Sequence, residues 1–396
     1  MPEVPKPGGG DLGKASKDRS NYSDAPIDAT QTGCSGKKPI TKVTLLSLAF
    51  LSGHGVLKDH DADWSDGGKL YVKPEWDKER QSPVTHTGGQ RMQLQLLLDV
   101  EPTNAAGPLE ITGRAAGLAI RFLDRREVKG GRSHIEIWSD EKTEGLPAEV
   151  QSLDMKIHWL LAWTGGDNLV ATQNTVFVTL GKPTAPEDCP GFTLKRMREA
   201  VRAVGLTKTT NPHSIVDKLM GRFPEYNLNN ALDNAWELTD FPNIGADCQT
   251  IVRYVNQVIQ MVGCPGTATF VVVWATANAP TKAVVTRNSR IPNMMQPTKQ
   301  WREPASMTEW ATLVDLGGAR NKYQACLEFS HAGQTFLYAG GVGRMNNADE
   351  VLHNFFAMCW ANEKDITFIK HRYRRASSTD EVLKKLPEYL HRLAKE

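Results

Sequence analysis

The chain has no CxxC pair. Its six cysteines stand apart at 34, 189, 248, 264, 326 and 359, which speaks against a zinc knuckle and against a dense disulfide framework, and makes reduced thiols the default. It has no long apolar run. The longest early one, Val43 to Leu51, is interrupted by Thr44 and Ser47 and is too short to span a bilayer. The opening Met1-Pro2-Glu3-Val4-Pro5-Lys6-Pro7 lacks the apolar stretch of a secretory signal. Synthesis in the cytoplasm is therefore expected, with export lacking a cleaved signal left open. Charge of one sign is missing too: the net value is +2, so no nucleic-acid footprint is expected. No internal repeat is visible.

What is present is the composition of a soluble globular protein, 40% hydrophobic and 23% charged over 396 residues, enough for two or three domains with proper cores. Residues 1–39 are rich in Pro, Gly, Lys, Asp and Ser and nearly devoid of large apolar side chains. They read as a flexible arm, or equally as an address for a partner. From residue 40 to 182 the pattern becomes short, extended and apolar. Strands are predicted at Thr41–Leu51, Lys69–Val72, Met92–Val100, Leu109–Thr112, Leu118–Leu123, His134–Trp138, Met155–Trp163 and Val170–Leu180. Turn-rich pieces such as Gly130-Gly131 and Gly165-Gly166-Asp167 separate them. Many short strands with Gly/Asp turns predict an antiparallel β-sandwich. Gly181 to Asp188 is a linker by composition.

One polar patch in this part imitates a metal site. Asp61-Ala62-Asp63-Trp64-Ser65 resembles the start of a calcium loop. Its sixth position is Asp66 instead of Gly and its twelfth is Val72 instead of Glu, so the EF-hand pattern fails. A solvated loop is the reading adopted, and no metal or cofactor is expected.

Helical patterns follow residue 190. Phe192–Val204 is one, Asn211-Pro212 opens a second with Pro where a helix tolerates it, and Leu228–Leu238 is a third. The most informative stretch comes next. Asn243-Ile244-Gly245-Ala246-Asp247-Cys248 runs into apolar residues at 251, 252, 255, 258, 259 and 262, the spacing of an amphipathic helix. Asp247 can cap it, and Gly263 with Pro265 can stop it. Cys248 then sits in the first turn, near unpaired N–H groups and the positive end of the helix dipole, where a thiolate and an oxyanion are both favoured. The same face also holds 252, 255 and 259, so Cys248 reads equally as a small buried hydrophobe. Beyond it, Thr267–Ala275 and Lys282–Thr286 read as strands, Lys322–Ser330 and Gln334–Tyr338 as a hairpin about His331, and Asp349–Trp360 and Thr379–Ala394 as helices.

This order, helices followed by a cysteine at a helix start and then strands, resembles the transglutaminase-like and papain-like cysteine hydrolase fold over roughly residues 190–360, with Asp247-Cys248 and the Gly263 stop in the place of the nucleophile segment. A β-sandwich ahead of such a domain is a familiar pairing. The resemblance implies a multidomain protein: an arm (1–39), a β-sandwich (40–182) and an α+β domain (190–396). It also implies a catalytic His at the start of a strand after the nucleophile helix, and an Asp or Asn on the next strand. The best-matching register puts Asn321 where that His belongs, and Asn cannot take a proton from a thiol at neutral pH. A rival register uses His331, the one His between His213 and His353, with Asp349, Asp315 or Glu328 as the orienting acid. His353 is a further candidate base.

Two function classes follow. In the first, Cys248 attacks an amide or ester carbonyl, His331 serves as base with Asp349 behind it, and a thioester resolves by water or an amine. The substrate is then a protein or peptide, and a bacterial effector exported by a secretion machine suits the polar arm. In the second, the chain keeps the scaffold without the chemistry and serves as a structural or binding module.

Overall fold

The computed structural model describes residues 36–54, 57–59, 68–143, 145–184, 193–223, 235–240, 246, 248–276, 279–287, 323–348 and 350–351. By contacts the chain divides into Met1–Lys37 and Lys38–Glu396, and every described strand and helix belongs to the second unit. It is β-rich and built largely from antiparallel sheets.

Nine strands form its first part: β1 (Lys42–Phe50), β2 (Trp76–Asp77), β3 (Val84–Thr87), β4 (Gln93–Glu101), β5 (Ala106–Ala115), β6 (Arg121–Lys129), β7 (Gly131–Trp138), β8 (Gln151–Trp163) and β9 (Gly166–Thr179). They make two sheets, β2-β1-β4-β7 and β3-β9-β8-β5-β6. The period-2 pattern decides the inner faces. Along β4, Leu94, Leu96, Leu98 and Val100 are fully buried, while Gln93, Gln95 and Asp99 between them are only partly covered. Met155, Ile157, Trp159 and Leu161 of β8 meet them in one apolar core shared by both sheets. Each such side chain contributes on the order of 1.5–3 kcal/mol. Trp159 fits because β5 carries Gly113 opposite it: a Cβ there would lie 2.5 Å from the indole ring. The indole Nε1 donates to Thr172 Oγ1 at 3.1 Å.

Three differences from the sequence reading have physical causes. Leu118–Leu123 is replaced by Arg121–Lys129, since the charged run Arg125-Arg126-Glu127 is exposed on both sides of an edge strand and hides the alternation. The strand read at Lys69–Val72 reduces to an isolated bridge between Leu70 and Lys58. The short β3 pairs β9 in parallel, the one parallel pairing in otherwise antiparallel sheets among the described residues.

The second part comprises α1 (Leu194–Gly205), α2 (Pro212–Met220), a 3₁₀ turn (Ala235–Asp240), α3 (Cys248–Met261), and the strands β10 (Thr267–Thr276), β11 (Ala279–Arg287), β12 (Tyr323–His331), β13 (Gln334–Ala339) and β14 (Gly343–Met345). Thr193 caps α1 by accepting from the Arg196 N–H, and Asn211 caps α2 by accepting from Ser214, each satisfying an orphan donor. The strands form an antiparallel sheet ordered β11-β10-β12-β13-β14. The helices lie on one face of it, where Val272, Ala325, Leu327, Phe329 and Tyr338 join Val252, Val255 and Ile259 of α3. On the opposite face Val271, Val273, Cys326, Leu337 and Met345 form a smaller cluster with Val351.

The segment between the two parts is pinned at both ends. Leu180 N–H donates to the Val262 carbonyl at 2.9 Å, and Thr184 N–H to that of Gln260 at 3.0 Å. Leu57, Val150 and Phe177 of the first part enter the helical core. Among the described residues no helix is long and apolar enough to cross a membrane. The helices read at Asp349–Trp360 and Thr379–Ala394 lie outside the described residues except Glu350 and Val351, and so does most of the polar patch around Asp61–Asp66.

Candidate functional site

Cys248 is the first residue of α3. It is 4% exposed and belongs to the apolar cluster under the helices. Val252 and Val255 beside it on the helix are fully buried. Asp247, read as its cap, is outside the described residues, as are Asn321, Asp315, Asp349 and His353.

The path of the chain places His331. After α3 the backbone turns at Gly263 (φ +60°) and enters β10 at Thr267, whose partner across the sheet is Ser330. Gly266 lies against the Phe329 ring and the Ser330 carbonyl. His331 therefore stands beside the C-terminal end of α3. Cys248 opens the same 14-residue helix, at the other end of an axis about 20 Å long at 1.5 Å per residue. The hairpin expected about His331 is present: β12 ends at His331, β13 starts at Gln334, and Ala332 (φ 50°) and Gly333 (φ 77°) make the turn. Glu328 lies three residues before His331 on β12 and is half-buried.

What His331 does meet is His213, a residue the sequence reading passed over. The two rings are 6.0 Å apart. His213 is packed between Phe329 and Phe336, both edge-on. Its Nδ1 is 2.8 Å from the Tyr338 hydroxyl and its Nε2 is 3.3 Å from the His331 carbonyl oxygen. A carbonyl only accepts, so in the neutral ring Nε2 carries the hydrogen and Nδ1 accepts from Tyr338. Burial, and then the neighbouring Asp217 carboxylate, push the Tyr338 phenol well above its ordinary value. Asp217 in turn accepts from the Arg344 N–H at 2.6 Å. This cluster ties α2 to the hairpin. The signal in the sequence was faint: a lone His behind a helix-opening Pro, with its partner 125 positions away.

A second histidine pair lies in the first part. Ser52 Oγ is 2.8 Å from His86 Nε2, and His86 Nδ1 is 2.9 Å from the Thr87 carbonyl. His54 Nε2 is 2.8 Å from Thr87 Oγ1, and the two imidazoles are 6.1 Å apart. Burial holds both rings below their ordinary pKa, with Lys182 adding to the effect at His54. Ser52 Oγ also accepts from the Gln93 N–H at 2.8 Å. His86 is fully buried, while Ser52 and His54 are partly exposed, and the group joins β3 to the β1–β4 sheet. A cleft of about 640 Å³ opens where α1 meets β8 and β9, lined by Val150, Phe177, Val201, Arg198 and Arg202. Cys248 is not among its walls. Among the described residues no group of three or more His, Cys, Asp or Glu side chains is placed to hold a metal ion.

In comparison with known proteins, no family model matches the chain and no curated protein matches it.

Proposed function

We propose that residues 190–396 form a transglutaminase/papain-like cysteine-hydrolase domain behind a β-sandwich domain of residues 40–182, and that the chain uses this scaffold as a protein-binding or structural module. Support for the scaffold is the order of elements: helices, a cysteine opening α3, then an antiparallel sheet on which α3 packs. The observation that carries the non-catalytic reading is the environment of the sulfur. Cys248 is buried among apolar side chains, and both described histidines of this part, His213 and His331, gather at the far end of α3. A thiol needs its base within about 2.6–3.2 Å. The Asn321 register fits the same reading.

One feature favours the rival, a cysteine-dependent acyl-transfer enzyme acting on a protein or peptide, synthesised in the cytoplasm and exported as a bacterial effector: Cys248 begins the helix, at the positive end of its dipole. Alkylation separates the two. The native protein is treated with iodoacetamide below neutral pH and the adducts are mapped. The module reading expects Cys248 to react no faster than Cys264, whose thiol burial pushes up to about 12. Selective modification of Cys248 would establish the enzyme reading instead.

A further inference from the structure

The outward face of the β3-β9-β8-β5-β6 sheet carries two parallel rows of side chains. Register places Leu123 of β6 opposite Thr112 of β5, Thr112 opposite Leu160 of β8, and Leu160 opposite Leu169 of β9. Leu123 is 56% exposed and Leu169 is 75% exposed. The next row along the strands is Arg121, Arg114, His158 and Ala171, all exposed. Lys156, one step further on β8, extends the basic side.

Like charges directly opposite on neighbouring strands destabilise a sheet, yet Arg121 faces Arg114. Some other exposed cations of these sheets do have carboxylate partners: Lys42 with Glu101, Arg91 with Glu141, Arg126 with Asp124. Arg114 and Arg121 have no carboxylate partner among the described residues. Asp154, the acid nearest Lys156 on β8, accepts from the Thr175 hydroxyl at 3.1 Å.

We infer that this face docks an acidic amphipathic helix of a partner protein, its leucine-type stripe on the Leu123–Leu160–Leu169 row and its carboxylates on the Arg121–Arg114–His158 row. Four strands about 4.8 Å apart span roughly 14 Å, close to three turns of helix at about 5.4 Å each. The rows lie about 6.8 Å apart, two residues along a strand, so one helix covers both. The same face already receives a helix at its other end, where the outward Phe177 of β9 packs with Met197 and Val201 of α1. This surface rests on the binding role proposed above and supplies it with a partner of defined chemistry. It does not depend on Cys248.

The test uses the full chain and a fluorescein-labelled synthetic helix of about 14 residues, with a Leu stripe beside a Glu stripe, read by anisotropy at about 0.15 M salt. Saturable binding is expected, weakened about tenfold or more by Arg114→Glu with Arg121→Glu, and several-fold by Leu169→Ser. All three positions are exposed, so circular dichroism should be unchanged. Three results would overturn the inference: no binding, equal binding of a peptide with Lys for Glu, or no peptide binding with capture by phosphatidylcholine–phosphatidylserine vesicles instead. Any of them leaves the alkylation result at Cys248, and the scaffold reading, untouched.

Discussion

Cys248 and His331 occupy opposite ends of one structural frame: the first opens α3, and the second closes the strand that borders the end of that helix. Their separation makes a direct prediction. His331→Ala should leave the rate of Cys248 alkylation unchanged within about twofold, because an imidazole raises a thiol's reactivity only from close range. The check is a time course of carboxymethylation with peptide mapping. A several-fold drop in rate at Cys248 in the variant would mean that the two side chains meet, and the acyl-transfer reading would regain its base.

Much of the architecture was legible in the sequence because each element carried its own period. Gln93 to Val100 alternates, and the stripe from Ile251 to Val262 repeats at helical spacing. The helix start at Cys248 and its stop at Gly263 followed from local chemistry alone. What stayed hidden depends on distant partners. The two-residue β2 and the parallel β3 have no period long enough to see. The contacts of His213 come from β12 and β13, more than a hundred positions on. His331 was correctly read as lying at a hairpin turn, but which end of α3 that turn adjoins is a property of strand register, and register appears only when β10 and β12 are paired.

The His213–Tyr338 bond should matter for stability more than for any chemistry. Tyr338→Phe removes the hydroxyl that donates to Nδ1 and leaves a buried acceptor unmatched. Losing one partner of a buried pair costs about 1–3 kcal/mol. Urea denaturation should show the midpoint falling by a corresponding amount with the m-value unchanged. Alkylation at Cys248 in native conditions should stay as slow as in the parent protein.

The histidines between β1 and β3 give the protein an acid-side weakness. Burial lowers the folded-state pKa of His86 and His54 below the ordinary 6.5, so the unfolded chain binds protons more readily. Their contribution is fully present above pH 6.5 and is lost as pH falls through 6.5 toward the lower folded values. Glu75 acts in the other sense: burial raises its carboxyl above 4.5, which favours the folded state as pH falls toward 4.5. Glu75→Gln keeps an acceptor for the Phe50 N–H and removes the opposing titration. In that variant the urea midpoint should decline as pH falls below 6.5 without the opposing contribution of the carboxyl, read as a series of denaturation curves. A midpoint in the variant that does not fall as pH drops below 6.5 would show that folding does not weaken proton binding at these imidazoles.

Gly263 tests whether the two parts are held together where the chain passes from one to the other. Its φ is +60°, and a Cβ there would run into the backbone of Gly181 and Lys182. Gly117 has a comparable φ of +74° with open space around it, so Gly117→Ala measures conformational strain alone, on the order of 1 kcal/mol. Gly263→Ala adds the collision, which the surroundings can relieve only by moving the segment of residues 180–184 away from α3. That movement breaks the hydrogen bonds from Leu180 to Val262 and from Thr184 to Gln260, each worth about 1 kcal/mol. The expected loss in Gly263→Ala therefore exceeds that in Gly117→Ala by about 2 kcal/mol, with hydrogen exchange at Leu180 and Thr184 accelerated in the first variant only. Equal losses in the two variants would mean that α3 and residues 180–184 slide past each other at little cost, and that Lys38–Glu396 does not act as one unit at this seam.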